Sequence, residues 1–206
     1  MQAIVLIHGI WVSGWVMKPL ARFLEAQGYA TSLFCYPSVT RSPVENAMPL
    51  QRHVETLDAE QVHFVAHSLG GVLLLNFFSH YPEQRPGRLV ILGSPLNGST
   101  KAKRILALPF GRKMLGRSVI GGLLDGGLRC PPGREVGVIA GSRALGLGLL
   151  LGPFRQPNDG TVAVAETRLG GLSDHLVLHT SHTGMLLSKQ VAGQVLAFIR
   201  EGRFRH

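Results

Sequence analysis

The sequence predicts a doubly wound α/β domain: a parallel sheet of about six strands with helices on both faces. Three observations predict it. Short Val/Ile/Leu-rich runs alternate with longer helical patterns along the chain. The short runs are almost continuously apolar, as strands buried on both faces require. The 206 residues, 45% hydrophobic and 16% charged, suit one domain with a sizeable core and exclude a disordered chain.

The elements follow in order. Met1-Gln2 lead directly into the apolar run 3–7, read as the first strand. A helical pattern over 15–27 precedes the second strand at 30–35. Another over 43–57 precedes the third at 62–66, and a third over 69–81 the fourth at 89–92. Runs at 136–140 and 176–179 supply the fifth and sixth strands, and a pattern over 185–200 closes the chain. There is no internal repeat and no Pro/Ser-rich linker.

Two segments break this rhythm. Residues 95–133 form a long insertion after the fourth strand, carrying Lys101, Lys103, Arg104, Arg112, Lys113 and Arg117 with no acid before Asp125. Residues 141–158 are rich in Gly and Leu. Long loops in compact domains are usually lids or disordered. One domain over 1–206 with a cap at 95–133 is therefore expected.

Composition bounds the function. Lys and Arg number 21 against 12 acids, a net charge of +9. A generally basic surface, an anionic membrane or nucleic acid would each suit that excess. No RNP-like, zinc or helix-turn-helix pattern is present, so nucleic acid is not expected. Cys35 and Cys130 make neither a disulfide scaffold nor a CxxC pair, and reduced thiols are expected. The longest greasy stretch outside the strands, 144–154, has 11 residues broken by glycines, against the roughly 20 that span a bilayer. With no basic leader before the first strand, a cytoplasmic protein is the expectation.

Four motifs carry chemistry. In Ala66-His67-Ser68-Leu69-Gly70-Gly71 an apolar strand ends, a serine follows and a glycine-rich helix begins. That is the context of a nucleophile elbow, in which a strained turn pushes the serine Oγ outward. The positions two before and two after must be small, and Ala66 and Gly70 are. The same spacing occurs by chance elsewhere; the strand–turn–helix context separates the readings. His8-Gly9-Ile10 ends the first strand, where a glycine turn can aim an N–H at an oxyanion. His8 itself reads as a loop-holding residue. Asp159, in Asn158-Asp159-Gly160, is either a simple turn or a catalytic acid. Asp125 and Asp174 compete with it, and its place after the fifth strand favours it. His182 lies on the loop after the last strand and completes the order Ser…Asp…His, whereas His179 falls at the strand's edge. The remaining histidines read as solvent-facing or structural, and no metal cluster is visible.

On these residues the sequence resembles the α/β-hydrolase superfamily, and within it small bacterial esterases and lipases. Such proteins usually carry two further strands before the His-Gly strand. Here that strand starts at residue 3, so a reduced, six-stranded α/β-hydrolase fold in the order 2-1-3-4-5-6 is expected. That order makes strands 1 and 3 neighbours at a topological switch point, which brings His8-Gly9 beside Ser68. The resemblance implies a serine esterase or lipase with Ser68 as nucleophile, His182 as base and Asp159 as acid. It implies oxyanion donors at the N–H groups of Ile10 and Leu69, with Trp11 and His67 near the substrate and no cofactor. An acyltransferase or thioesterase would use the same triad, and a non-catalytic binding module on this fold is a third alternative. Trp11, Trp15, Phe110, Leu145, Leu147, Leu149 and Phe154 are candidates to line an acyl site. The expected partner is a small-molecule or lipid ester. The insertion is expected to cap Ser68 and to favour anionic lipid surfaces through Lys101, Arg104, Arg112 and Lys113. The oligomeric state is left open.

Overall fold

A computed structural model of the chain describes every residue except Asp125 and Pro153, and every remaining side chain except that of Leu147. Its centre is one six-stranded sheet in the order β2-β1-β3-β4-β5-β6. The strands are β1 (Gln2–Ile7), β2 (Ala30–Phe34), β3 (Gln61–His67), β4 (Leu89–Leu92), β5 (Val136–Gly141) and β6 (Asp174–Leu178), all paired in parallel. The order is the one expected, and with it the reduced α/β-hydrolase fold.

The pleat sorts the core into two layers. In β1, Val5 and Ile7 face the cluster made with α2 (Pro43–Glu55) and α3 (Leu69–His80), while Ile4 and Leu6 face α1 (Lys18–Glu25) and α6 (Lys189–Glu201). All four side chains are fully buried, because successive residues point to opposite faces and both faces are covered. Helix starts are fixed locally. Ser42 and Glu45 form a reciprocal capping box ahead of Pro43 at 3.1 and 2.7 Å. Ser188 caps α6 through the N–H of Val191, and Gly202 ends it at φ +75°.

β2 departs from expectation. A strand buried on both faces was expected over 30–35, but only Phe34 of β2 is buried, and Cys35 lies beyond the strand, exposed. β2 is the sheet's edge, with β1 as its single neighbour. Position in the sheet thus decides its burial, and Thr31 and Ser32 set its composition apart from the inner strands. Cys35 and Cys130 are both free thiols.

The insertion is partly helical. It carries α4 (Thr100–Leu106) and α5 (Gly111–Leu115), followed by a 3-10 turn at Gly116–Val119. Ala102, Ile105, Leu115 and Leu123 pack on Leu69 and Val72 at the start of α3. Lys101 corrects an expectation: it is 2% exposed, with Nζ bonded to the Gly152 carbonyl and lying over the Phe154 ring at 4.5 Å. Arg104 donates to the carbonyls of Leu151 and Gly152 at 3.0 and 2.9 Å, and Arg117 pairs with Glu45 at 2.6 Å. These cations hold the insertion to its neighbours: Lys101 and Arg104 satisfy carbonyls at the end of the 3-10 turn Leu147–Leu151, which have no partner within the turn, and Arg117 ties to α2. No helix of the described residues is long and apolar enough to cross a membrane.

Candidate active site

Ser68 sits between β3 and α3 at φ +55°, ψ −124°. A side chain at such a φ is strained, and the surrounding sheet enforces it. The ladder reaches the serine itself, whose N–H donates to the Leu92 carbonyl at 2.9 Å. The helix then turns back so closely that a Cβ at Gly70 would lie 2.6 Å from the His8 carbonyl, and one at Gly71 would lie 2.3 Å from Ser94 Oγ. Only glycine permits this approach.

The loop after β1 faces the serine. A Cβ at Gly9 would lie 2.9 Å from Ser68 Cβ. His8 holds this loop, as expected of it. Its Nδ1–H donates to the Gly9 carbonyl at 2.8 Å, its ring stacks on Tyr36 at 4.4 Å, and the Tyr36 hydroxyl donates to its carbonyl at 2.9 Å. Burial lowers the His8 pKa, which keeps the ring neutral. Among the described residues, the N–H groups of Ile10 and Leu69 donate to no protein acceptor. For Leu69 the reason is general, since the first N–H groups of a helix have no carbonyl above them.

Asp159 and His182 are joined. His182 Nδ1–H donates to Asp159 Oδ2 at 2.7 Å, and the His182 main-chain N–H donates to the Asp159 carbonyl at 2.9 Å. Asp159 is 1% exposed. Its other oxygen accepts from the N–H groups of Thr161 and Val162 at 2.9 and 2.7 Å, which fixes the carboxylate. Glycines at the ends of β4 and β5 make room, because a Cβ at Gly93 would lie 3.0 Å from Oδ2 and one at Gly141 2.7 Å from Asp159 Cβ. Among the described residues, Ser68 Oγ makes no hydrogen bond to His182. Catalytic contacts of that kind are often loose until substrate binds.

The competing acid Asp174 begins β6, where it accepts from the N–H of Phe204 at 2.8 Å and from His206 at 3.0 Å. That is the opposite end of the strand from His182. Asp125 lies outside the described residues. His179 is exposed just after β6. Among the described residues no three metal-ligating side chains converge.

The two residues expected near substrate differ. Trp11 is 55% exposed on the rim, at φ +60°, and its Nε1–H reaches the Met114 carbonyl of the insertion at 3.0 Å. His67 is 5% exposed and lies under the site. It donates through Nε2–H to the His182 carbonyl at 3.0 Å, and its buried Nδ1 has no partner. Burial, reinforced by the neighbouring His182, lowers its pKa to about 3. No local pattern signals this contact, which spans 115 residues.

Known proteins resemble this chain in part and as a whole. It is 30% identical over 105 residues to the 2-hydroxy-6-oxo-6-phenylhexa-2,4-dienoate hydrolase of Comamonas testosteroni, a stretch covering 45% of this chain and 36% of that one. The match thus spans about a third of that relative's length. The mature form of the Bacillus licheniformis lipase BlEst2 superposes with a TM-score of 0.75 at 18% identity, over 97% of this chain and 91% of the lipase. A pyrethroid hydrolase from Sphingobium faniae superposes at 0.71 with 14% identity, over 97% and 98%. At such identities these two likenesses show the fold alone. A model of the alpha/beta hydrolase family matches residues 4–186, a span that takes in Ser68, Asp159 and His182, and the chain belongs to that family.

Proposed function

We propose that the protein hydrolyses carboxylic esters through an acyl-enzyme. The observation that carries this is the pairing of a strained Ser68 at φ +55° with an Asp159–His182 bond of 2.7 Å at the same edge of the sheet. Ser68 Oγ attacks the ester carbonyl, and His182 Nε2 takes its proton. Asp159 fixes the tautomer by holding Nδ1–H and stabilises the imidazolium. The N–H groups of Leu69 and Ile10 receive the oxyanion, each worth about 10²–10³ in turnover in comparable sites. The imidazolium then protonates the leaving alcohol. Water attacks the acyl-enzyme by the same relay and restores Ser68. His67 braces the His182 loop, and Trp11 meets the substrate at the rim. The free thiols support a reducing, cytoplasmic setting.

A fluorophosphonate probe and a chain-length series of p-nitrophenyl esters test this reading. Labelling confined to Ser68, with ester turnover lost in Ser68→Ala, is the expected result. Labelling elsewhere, or turnover that survives the substitution, would overturn it. Adding alcohols and analysing products separates hydrolysis from acyl transfer.

A further inference from the structure

We propose that the protein docks the carboxyl edge of its sheet, the edge that holds Ser68, onto an anionic lipid surface. In an all-parallel sheet every loop that follows a strand emerges at one edge. The large apolar side chains left in water concentrate there. Trp11 and Trp15 after β1 are 55% and 67% exposed, Phe110 and Met114 after β4 are 80% and 45%, Leu150 after β5 is 84%, and Leu187 after β6 is 70%. They come from four separate loops, so they form a crown rather than a groove. Trp11 is bonded to the Met114 carbonyl, and the Met114 N–H to the Phe110 carbonyl at 3.0 Å. Exposed apolar side chains concentrated at one edge in this way mark an interaction site.

The backbone singles out the same place. Trp11, Ser68 and Phe110 are the described non-glycine residues at positive φ, at +60°, +55° and +67°. Such conformations cost stability. Phe110, at 80% exposure, recovers little of that cost through burial.

Charge is polarised along the same axis. Glu25, Glu55, Glu60, Glu135, Asp174 and Glu201 lie at helix C-termini or strand starts, hence at the opposite edge. Of the described acids at the Ser68 edge, Glu45 in the first turn of α2 is bonded to Arg117, and Asp159 and Glu166 are buried. Arg112, Lys113, Arg143 and Arg155 are exposed there. Apolar side chains interleaved with cations, with acids held away, fit an anionic lipid interface. The surface differs from the lid expected from the sequence, because Lys101 is buried and four loops contribute. The docking rests on this surface alone; that esters reach Ser68 from the lipid side rests on the ester-hydrolase reading.

Sedimentation with vesicles tests it, using Ser68→Ala protein so that turnover plays no part. Vesicles of phosphatidylcholine mixed with phosphatidylglycerol should bind clearly, phosphatidylcholine alone several-fold more weakly, and salt should reduce the difference. A cation at such a surface is worth about a fivefold in affinity. Arg112→Glu with Lys113→Glu should therefore weaken binding at least tenfold, while the same pair in otherwise unchanged protein keeps its turnover of a water-soluble ester. Phe110→Gly should weaken binding to mixed vesicles yet leave the fold as stable or more so, since glycine accepts φ +67° without strain. Equal binding to both vesicle types, or binding to neither, would overturn the proposal, as would capture only by an acidic protein surface. Absence of any ester turnover would sink the hydrolase reading without touching the vesicle result.

Discussion

His67 and His182 lie ring against ring, with centroids 4.6 Å apart, and His67 Nε2–H donates to the His182 main-chain carbonyl at 3.0 Å. Ser68 follows His67 directly. The strand that carries the serine is therefore tied to the loop that carries His182 through the adjacent residue. The bond requires a proton on His67 Nε2, and burial keeps the ring neutral by leaving Nδ1 without one.

His67→Phe keeps a ring and most of the volume but deletes this donor. A small misplacement of a reacting group can cost about 10²-fold. We expect ester kcat to fall about 10- to 100-fold with KM little changed and the far-UV circular dichroism unaltered. An unchanged kcat would reduce His67 to packing.

Ser68→Ala and His182→Ala should each lower ester turnover by on the order of 10⁶, the cost of losing a member that acts as part of a unit. Asp159→Asn should cost about 10⁴, because the amide would favour the wrong imidazole tautomer. Asp174→Asn should leave kcat intact, since that carboxylate holds Phe204 and His206 instead. Steady-state kinetics on a soluble ester checks all four variants, and a large loss in Asp174→Asn would displace Asp159.

Gly70→Ala should destabilise by about 1–3 kcal/mol, the usual cost of overpacking, because its Cβ would meet the carbonyl oxygens of His8 and Ile7 at 2.6 and 2.7 Å. Gly193→Ala provides the contrast. It lies inside α6 with nothing within 4 Å of its Cβ, so helix propensity should add roughly 0.5–1 kcal/mol. Urea midpoints at unchanged m-value measure both.

Stability should fall as pH drops below about 6.5. Burial lowers the His67 pKa to about 3, and burial with the nearby Arg88 charge lowers that of His63 to about 4. The unfolded chain takes up these protons near 6.5 and the folded chain does not. The stabilising contribution is therefore complete above that pH and is lost progressively toward 4 and then 3. Unfolding at pH 5 should be linked to uptake of about two protons by this pair. Urea denaturation across pH 7 to 4 measures the slope, and His63→Gln should remove about one proton from it.

Much of this molecule was legible in the sequence because its determinants are local. Apolar runs 4–8 residues long separated by helical patterns specify buried parallel strands. Small residues around Ser68, the Asp159-Gly160 turn and a histidine after the last strand each act over a few positions. They identified the three side chains that the fold gathers at one edge. The sequence by itself determined the strands and their crossovers, since chain connectivity and apolar periodicity leave few ways to bury both faces. Only the tertiary structure decided that β2 is a half-exposed edge, that Lys101 is buried against Gly152 across 51 residues, that Trp11 reaches Met114 across 103, and that His67 braces His182 across 115. These depend on which loops emerge together at the carboxyl edge and how closely glycines let them approach. That is a property of packing between distant segments, to which local pattern carries no signal.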